Sequence, residues 1–376
     1  MRVKSKGAHH ARTDHHITRV GHIFPTVSTA WALRSAGHDV IVATGGNHEL
    51  AAHAGLPVVD AAPGVDFAAV FRDFFVAQGT APTEGLDFVG RLFATVSREF
   101  TDRTVELARR WHPDLVLYTP LQAVGPLVAR VAGVPAIMHT IGIGQTAWLS
   151  TMLAERFTDE YRRFGVAPMA PTAVLDGSPP SLAVDAAGAV PMRYVPYNGG
   201  AVLPPWLLEP IPRPLVTVTL GSVLPRMAGV GALRPFVAAA GSVPADFVVT
   251  LGGVDPADFG PLPANVRLVD WVPLAALLAV SAAAIHHGGA GTTLTALHAG
   301  LPQLVLPQGA DQFQNAAAVA KSGAGAVVRP EELDADRLGE LVADGAARVA
   351  ARAVAAEMAT QPAPADVVPT LVELAG

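Results

Sequence analysis

From about residue 38 onward the chain alternates short apolar runs of strand length with longer stretches whose apolar positions recur at helical spacing. The runs predict strands at 39–43, 114–118, 136–139, 215–220, 247–251, 266–269, 282–285, 303–306 and 326–328, with helices between them. Such alternation implies a doubly wound α/β architecture. Asn198-Gly-Gly-Ala-Val-Leu-Pro-Pro-Trp206, followed by Pro210, Pro212 and Pro214, is the longest stretch dense in proline and glycine between two such series, and it marks a linker. The expected division is a first domain over 1–197, the linker over 198–213, a second domain over 214–357 and a closing helix over 358–376 that packs back on the first domain. In open α/β sheets ligands sit beyond the carboxyl ends of the strands, so two such domains facing each other leave a cleft for two substrates.

Composition permits this reading and narrows the partner. A length of 376 residues suffices for two domains with their own cores. With 51% hydrophobic and 15% charged residues the chain is too apolar for disorder, yet no uninterrupted apolar run reaches membrane-helix length. A net charge of -6 and a pI of about 6.1 argue against nucleic acid or an anionic membrane surface as partner, which leaves a small molecule. The absence of cysteine removes disulfides and thiolate metal sites, and the first residues show no apolar signal-peptide core, so cytoplasmic residence is the expectation. Lysine occurs only at Lys4, Lys6 and Lys321 against abundant arginine and alanine, a bias associated with high-GC bacterial genomes.

The first nineteen residues break the pattern. A sheet of this class should open with a buried apolar strand, but Lys4 to Arg19 carries two lysines, two arginines and His9, His10, His15 and His16, and no strand can be read there. The histidine spacing matches no closed zinc site, so the segment reads as solvated and not as a metal centre.

The candidate chemistry begins at Ile285-His-His-Gly-Gly-Ala-Gly-Thr-Thr-Leu-Thr-Ala-Leu-His-Ala-Gly300. A strand ending at 285, a turn over 286–291 and a helix from Thr292, with Leu294 and Leu297 at helical spacing, form a strand-turn-helix. Gly288, Gly289 and Gly291 let a ligand approach bare backbone, and the helix that follows points unpaired N–H groups and a positive dipole end at it. The dipole contributes only about 0.3–1 kcal/mol, so tight binding of a diphosphate also needs side-chain donors, for which His287 and Thr292 are available. The same turn could be a plain connection with the histidines in the core. A second polar turn, Pro307-Gln-Gly-Ala-Asp-Gln312, follows the next strand and favours a site.

These motifs, in order and spacing, resemble a GT-B glycosyltransferase of the nucleotide-sugar-dependent class that decorates antibiotics and other natural products in actinobacteria. The resemblance covers the chain from about residue 20 to its end. It is carried by Gly21-His-Ile-Phe-Pro25, Leu220-Gly-Ser222, Trp271-Val-Pro-Leu274, His286-His-Gly-Gly-Ala-Gly-Thr292 and Asp311-Gln312. It implies two Rossmann-like domains across a cleft, the first binding the acceptor and the second the donor. His22 then matches the family's general base; preceding Pro25 and a helix to about Ser35, it is expected at a turn facing the cleft. Many relatives place an orienting aspartate in a Tyr-Asp-Pro tripeptide, but here the match is Tyr118-Thr119-Pro120, and threonine cannot balance an imidazolium charge.

By the same resemblance Trp271 stacks on the nucleobase beside Val272. Ser222, His287, Gly288, Gly289, Ala290, Gly291 and Thr292 cradle the diphosphate. Asp311 and Gln312 hold the sugar, and Asp311 would equally serve as an N-cap for a helix over 312–321. For the acceptor the candidates are Phe71, Phe75, Thr119, His139 and Thr140; an aromatic stripe such as Phe71, Phe74, Phe75, Phe88 and Phe93 is also what a core helix shows. No Asp-X-Asp motif is apparent, so neither a metal nor another cofactor is expected, and the leaving group's charge falls to the helix terminus and its hydroxyl and imidazole donors.

The expected reaction is inverting transfer of a hexose, in the first instance a deoxyhexose, from a dTDP- or UDP-sugar to a hydroxyl of a hydrophobic natural product such as a polyketide. Transfer to an aromatic carbon, a nucleotide-sugar epimerase of similar fold and a non-catalytic nucleotide-sugar-binding protein are the alternatives. A homodimer and an activator protein stay open as partners.

Overall fold

The computed structural model describes residues 20–46, 48–79, 86–144, 147–183, 188–221, 229–309, 311–343 and 345–376. Its first half runs α1 (Val20–Ser35), β1 (Val42–Thr44), α2 (His48–His53), β2 (Val58–Asp60), α3 (Phe67–Gln78), α4 (Leu86–Trp111), β3 (Val116–Tyr118), α5 (Val124–Ala132), β4 (Ala136–His139), α6 (Ala147–Arg156), α7 (Thr158–Arg163), β5 (Ala173–Asp176) and β6 (Ala189–Pro191). Strands β3 to β6 form one parallel sheet in sequence order, while β1 and β2 form a separate parallel pair. The segment 1–19, with its histidines, lies outside the described residues.

Local chemistry accounts for these elements. Asp66 caps α3, its side chain accepting from the Ala69 amide at 3.1 Å. Along α4, Phe88, Leu92, Val96 and Phe100 recur every four residues and bury one stripe against Phe67 and Phe74 of α3 and Leu127 of α5. Gly133 ends α5 in the left-handed conformation, at φ 74°. All four residues of β4 are buried. Its alternation sends Met138 toward Ala129 of α5 and Ile137 toward the opposite face.

The second half runs β7 (Leu215–Thr219), α8 (Arg234–Ala240), β8 (Asp246–Thr250), β9 (Val266–Val269), α9 (Leu274–Ala279), β10 (Ala283–His286), α10 (Ala290–His298), β11 (Gln303–Val305), α11 (Gln312–Ser322), β12 (Gly325–Val327), α12 (Ala335–Val342), α13 (Ala346–Thr360) and α14 (Pro364–Ala375). Its six strands are parallel, in the order β12-β11-β10-β7-β8-β9. Numbered within this half the order is 3-2-1-4-5-6 read from β9, the doubly wound topology with its reversal between β7 and β10.

The halves share a core. Ile143, Leu182 and Tyr194 from the first pack with Leu294, Leu297, Val354 and Met358 from the second. After α13 the chain returns to the first half, where Val367 and Leu371 of α14 pack on Ile137, Leu175 and Met192. Arg193 N donates to Pro362 O at 2.7 Å and Gln361 Nε2 to Ser178 O at 2.9 Å along this crossing.

The structure departs from the sequence reading in two ways. Strands β2, β5 and β6 are not predicted, being three or four residues long; β6 closes on Pro191, which its place at the sheet edge tolerates. Helix α1 already begins at Val20, so His22 lies in its opening turn and not in a loop. Pro25 reads as a boundary in sequence, but this close to a helix start it removes a single backbone bond.

Candidate functional site

After β7 the chain turns to one side of the sheet and after β10 to the other, which opens a crevice beyond Thr219 and His286, paired in register. Gly221 borders it with φ +75°, and Ser222 lies outside the described residues. On the other side His287 leads into Gly288 and Gly289, and α10 begins at Ala290. Ala290, Gly291 and Thr292 therefore form the first helical turn, two residues earlier than predicted. Of the turn's glycines Gly288 alone has positive φ, +90°, and the others permit helix or its cap.

The glycines are required by close packing. A Cβ at Gly289 would stand 2.5 Å from His287 Nε2, one at Gly221 2.7 Å from His287 Cε1, and one at Gly288 3.0 Å from the Gln312 carbonyl. Gly291 has nothing within 4 Å of a Cβ.

The two histidines separate in role. His286 is fully buried; its Nδ1 accepts from the Gly288 amide at 3.0 Å, so Nε2 carries the proton and donates to Gln303 Oε1 at 2.7 Å. Burial pushes its pKa down to about 3, with the Gln303 bond opposing and His287 adding to the fall. His286 is a structural brace for the turn. His287 is also pushed down by burial, to about 4, against a backbone bond with Thr219. Its Nδ1 is buried and has no hydrogen-bond partner among the described residues. Around neutral pH both rings are uncharged.

The opening of α11 closes the same crevice. Asp311 is exposed and does not cap the helix with its side chain, contrary to the N-cap expectation: its φ of -72° and ψ of -6° already place it in helical conformation. Its Oδ2 instead accepts from Asn315 Nδ2 at 2.9 Å. Gln312 is buried, its Oε1 accepting from the Gln308 amide at 2.8 Å.

Trp271 is 52% exposed, an unusual state for an indole, and faces the linker near Gly199 and Phe24. The Val272 side chain is buried with Leu207, Leu215 and Leu277. Asn198 supplies a cap that sequence reading missed: its Oδ1 accepts from the Ala275 amide at the start of α9, at 2.8 Å.

On the first-half side, His22 Nδ1 stands 3.5 Å from Thr119 Oγ1, and its ring centroid lies 6.2 Å from that of Phe93. His139 and Thr140 belong to the packing beneath α1. His139 Nδ1 donates to Thr140 O at 2.7 Å, and its Nε2 accepts from Thr29 Oγ1 at 2.9 Å. Burial drives its pKa down, although Asp176 pulls the other way. The Thr140 hydroxyl donates to Asp176 Oδ1 at 3.3 Å and accepts from the Gly177 amide at 3.2 Å. Both side chains line a gap of only about 10 Å³ between the halves. Their polar atoms are taken up within the protein, so the expected acceptor wall turns inward here. Phe71 packs against the first-half core, whereas Phe75 is 48% exposed.

The two sides meet through backbone. A Cβ at Gly142 would lie 2.9 Å from Ala290 Cβ; Tyr194 Oη donates to Gly291 O at 3.3 Å; Gln314 Nε2 donates to Ile143 O at 3.1 Å. The arrangement is a neutral, glycine-lined helix terminus able to receive an anion, with the exposed Asp311 carboxylate tied to its turn through Asn315. Among the described residues no three His, Asp or Glu side chains gather as a metal-holding group, and no helix is long and apolar enough to cross a membrane.

Residues 31–221 match the N-terminal domain, and residues 234–374 the C-terminal domain, of the family described as erythromycin biosynthesis protein CIII-like. The elloramycin glycosyltransferase ElmGT of Streptomyces olivaceus is 40% identical over 358 residues, covering 93% of this chain and 93% of the relative. The solved glycosyltransferase SnogD of Streptomyces nogalater superposes with a TM-score of 0.84 at 40% identity, over 95% of this chain and 97% of that one. SsfS6 of a Streptomyces species, solved with thymidine diphosphate, gives 0.81 at 32% identity over 94% and 97%.

Two expectations follow from the turn. Gly289→Ala should displace the His287 ring and destabilise the protein by about 1–3 kcal/mol, whereas Gly291→Ala should be neutral or stabilising by about 0.5–1 kcal/mol. Denaturant midpoints compare them, and equal effects at the two positions would sink the packing argument. Because folding holds His286 and His287 neutral, with values of about 3 and 4, the unfolded chain takes up protons there first as pH falls below about 6.5. Stability is therefore whole above that value and declines toward pH 4, by up to about 1.4 kcal/mol per unit for each ring. The check is the denaturant midpoint at pH 7.5 and 5.0, with imidazole NMR signals of both rings still neutral at pH 5.

Proposed function

The chain belongs to the erythromycin biosynthesis protein CIII-like family of glycosyltransferases, and from this premise we propose that it moves a hexose, a deoxyhexose first of all, from a dTDP- or UDP-linked donor to a hydroxyl of a hydrophobic natural product, with inversion at the anomeric carbon. Glycosyl transfer is its enzyme class and GT-B its fold. The observation that carries the finer reading is the placement of His287 between Gly221 and Gly289 at the N-terminus of α10, at the reversal point of the sheet. The thymidine diphosphate bound to SsfS6 supports TDP as the first choice of nucleotide. The name of ElmGT, an elloramycin glycosyltransferase, supports a natural-product acceptor.

In this reading His22 is the base. Its Nδ1 stands 3.5 Å from the Thr119 hydroxyl, and the neutral imidazole takes the acceptor's proton. The acceptor oxygen forms its bond to the anomeric carbon as the bond from that carbon to the diphosphate oxygen breaks, and the electron pair leaves with the diphosphate. The α10 terminus, the neutral His287 and Thr292 receive that charge, with Ser222 as a further hydroxyl donor. Trp271 stacks on the base, Asp311 and Gln312 hold sugar hydroxyls, and Phe75 with the α3–α4 surface borders the acceptor.

Calorimetry with TDP, with UDP for comparison, should show binding that His287→Ala abolishes or weakens more than tenfold. His22→Ala should bind TDP normally yet release TDP from TDP-glucose about 10²- to 10⁴-fold more slowly with a phenolic polyketide acceptor. A folded protein that binds neither nucleotide would remove the donor-site assignment.

Thr119→Asp tests the base from the other side. A carboxylate at this place stabilises the imidazolium of His22, so the acid limb of the pH–rate profile should move to higher pH. An unmoved limb would mean that the group titrating in catalysis is not His22.

A further inference from the structure

The donor assignment leaves one buried side chain unexplained. Asn315 lies on α11, 2% exposed, and its Nδ2 makes two hydrogen bonds: to the Gly288 carbonyl at 2.8 Å and to Asp311 Oδ2 at 2.9 Å. Both partners are acceptors, so the nitrogen end of the amide must face them and both its hydrogens are used. One partner belongs to the turn that leads into α10, the other is the exposed carboxylate at the border of the crevice. The backbone repeats the link, since Asn315 N donates to Asp311 O at 3.0 Å.

We propose that Asn315 is a positioning residue that fixes the donor sugar's carboxylate partner, Asp311, at a set distance from the diphosphate turn. This rests on the reading that Asp311 holds sugar hydroxyls. The bond to Gly288 alone would be ordinary turn construction. The second bond spends a buried hydrogen on a solvent-exposed carboxylate that caps nothing, and its effect is to halt that carboxylate's rotation in one orientation. A nucleotide without a sugar gains nothing from this, while a nucleotide-sugar does.

The test is a double-mutant cycle read by calorimetry with two probes, TDP and TDP-glucose, on full-length protein. In Asn315→Ala, TDP affinity should stay within about threefold of the parent while the ratio of TDP-glucose to TDP affinity falls about tenfold. Asp311→Ala should lower that ratio by a similar factor, and the double variant should lower it no further. Asn315→Asp keeps the shape but cannot donate and repels Asp311, so it should lower the ratio at least as much; it also serves if the alanine variant folds poorly. Equal loss of both ligands in Asn315→Ala would reduce Asn315 to a turn former, and additive effects in the double variant would show that it does not act through Asp311. If Asp311→Ala leaves the ratio unchanged, the sugar role of Asp311 fails and takes the proposal with it. If Asp311→Ala lowers the ratio and Asn315→Ala does not, the proposal alone fails.

Discussion

Strands β7 and β10 run side by side and send their chains to opposite edges of the sheet, and the second half is arranged around the crevice that this leaves. The crevice is narrow at its floor because His287 stands between two stretches of main chain. At Gly221 and Gly289 a methyl group would overlap the imidazole, so the glycines answer first to the protein's own packing and then to any ligand. His286, directly below, ties the turn back to Gln303 of β11 and to the Gly288 amide, which fixes the ring above it. A helix terminus adds only about 0.3–1 kcal/mol toward an anion. A terminus held rigid by its own packing adds more, because little reorganisation remains when an anion arrives.

Under the proposed function the base, His22, stands on the other half, so the relation between halves matters as much as either site. Transfer tolerates little misplacement: about 1 Å can cost on the order of a hundredfold in rate. The halves answer this with a shared core around Leu294, Leu297 and Met358, the near contact of Gly142 with Ala290, and Tyr194 bonded to the first turn of α10. Helix α1, which carries His22, is pinned seven residues further along, where Thr29 donates to His139. His139 is thus a fixing point for α1, bonded at both ring nitrogens.

Much of this was legible in the sequence, and the misses have physical causes. The second half is read well because its central strands β7, β10 and β11 are buried on both faces and its motifs sit at their ends; the edge strand β9 also falls on the predicted residues 266–269. The first half is read less well: three- and four-residue strands such as β2 and β6 leave too short an apolar run, and no strand is legible before residue 20. The glycine turn was recognised, yet its helix starts at Ala290 because Gly289 and Gly291 need no positive φ. Asn315 and Asn198 escaped altogether. Each acts on a partner set by tertiary folding, Gly288 in one case and Ala275 in the other, and an asparagine in a helix or linker carries no local sign of that.

Charge is sparse around the reacting groups, and this bears on Thr119. An ion pair at about 4 Å is worth roughly 4 kcal/mol at an effective dielectric of 20, so a threonine in place of an acid gives up about that much stabilisation of the imidazolium. A carboxylate there, at a position 8% exposed, would bring its own desolvation cost. The remaining deficit can be met by the acceptor. A phenol loses its proton about six pKa units more readily than water, which at 1.36 kcal/mol per unit is about 8 kcal/mol, more than the missing ion pair supplied. Under the proposed function, a neutral partner for His22 therefore accords with a phenolic hydroxyl better than with an aliphatic one, because the acceptor then brings the acidity that the protein leaves out.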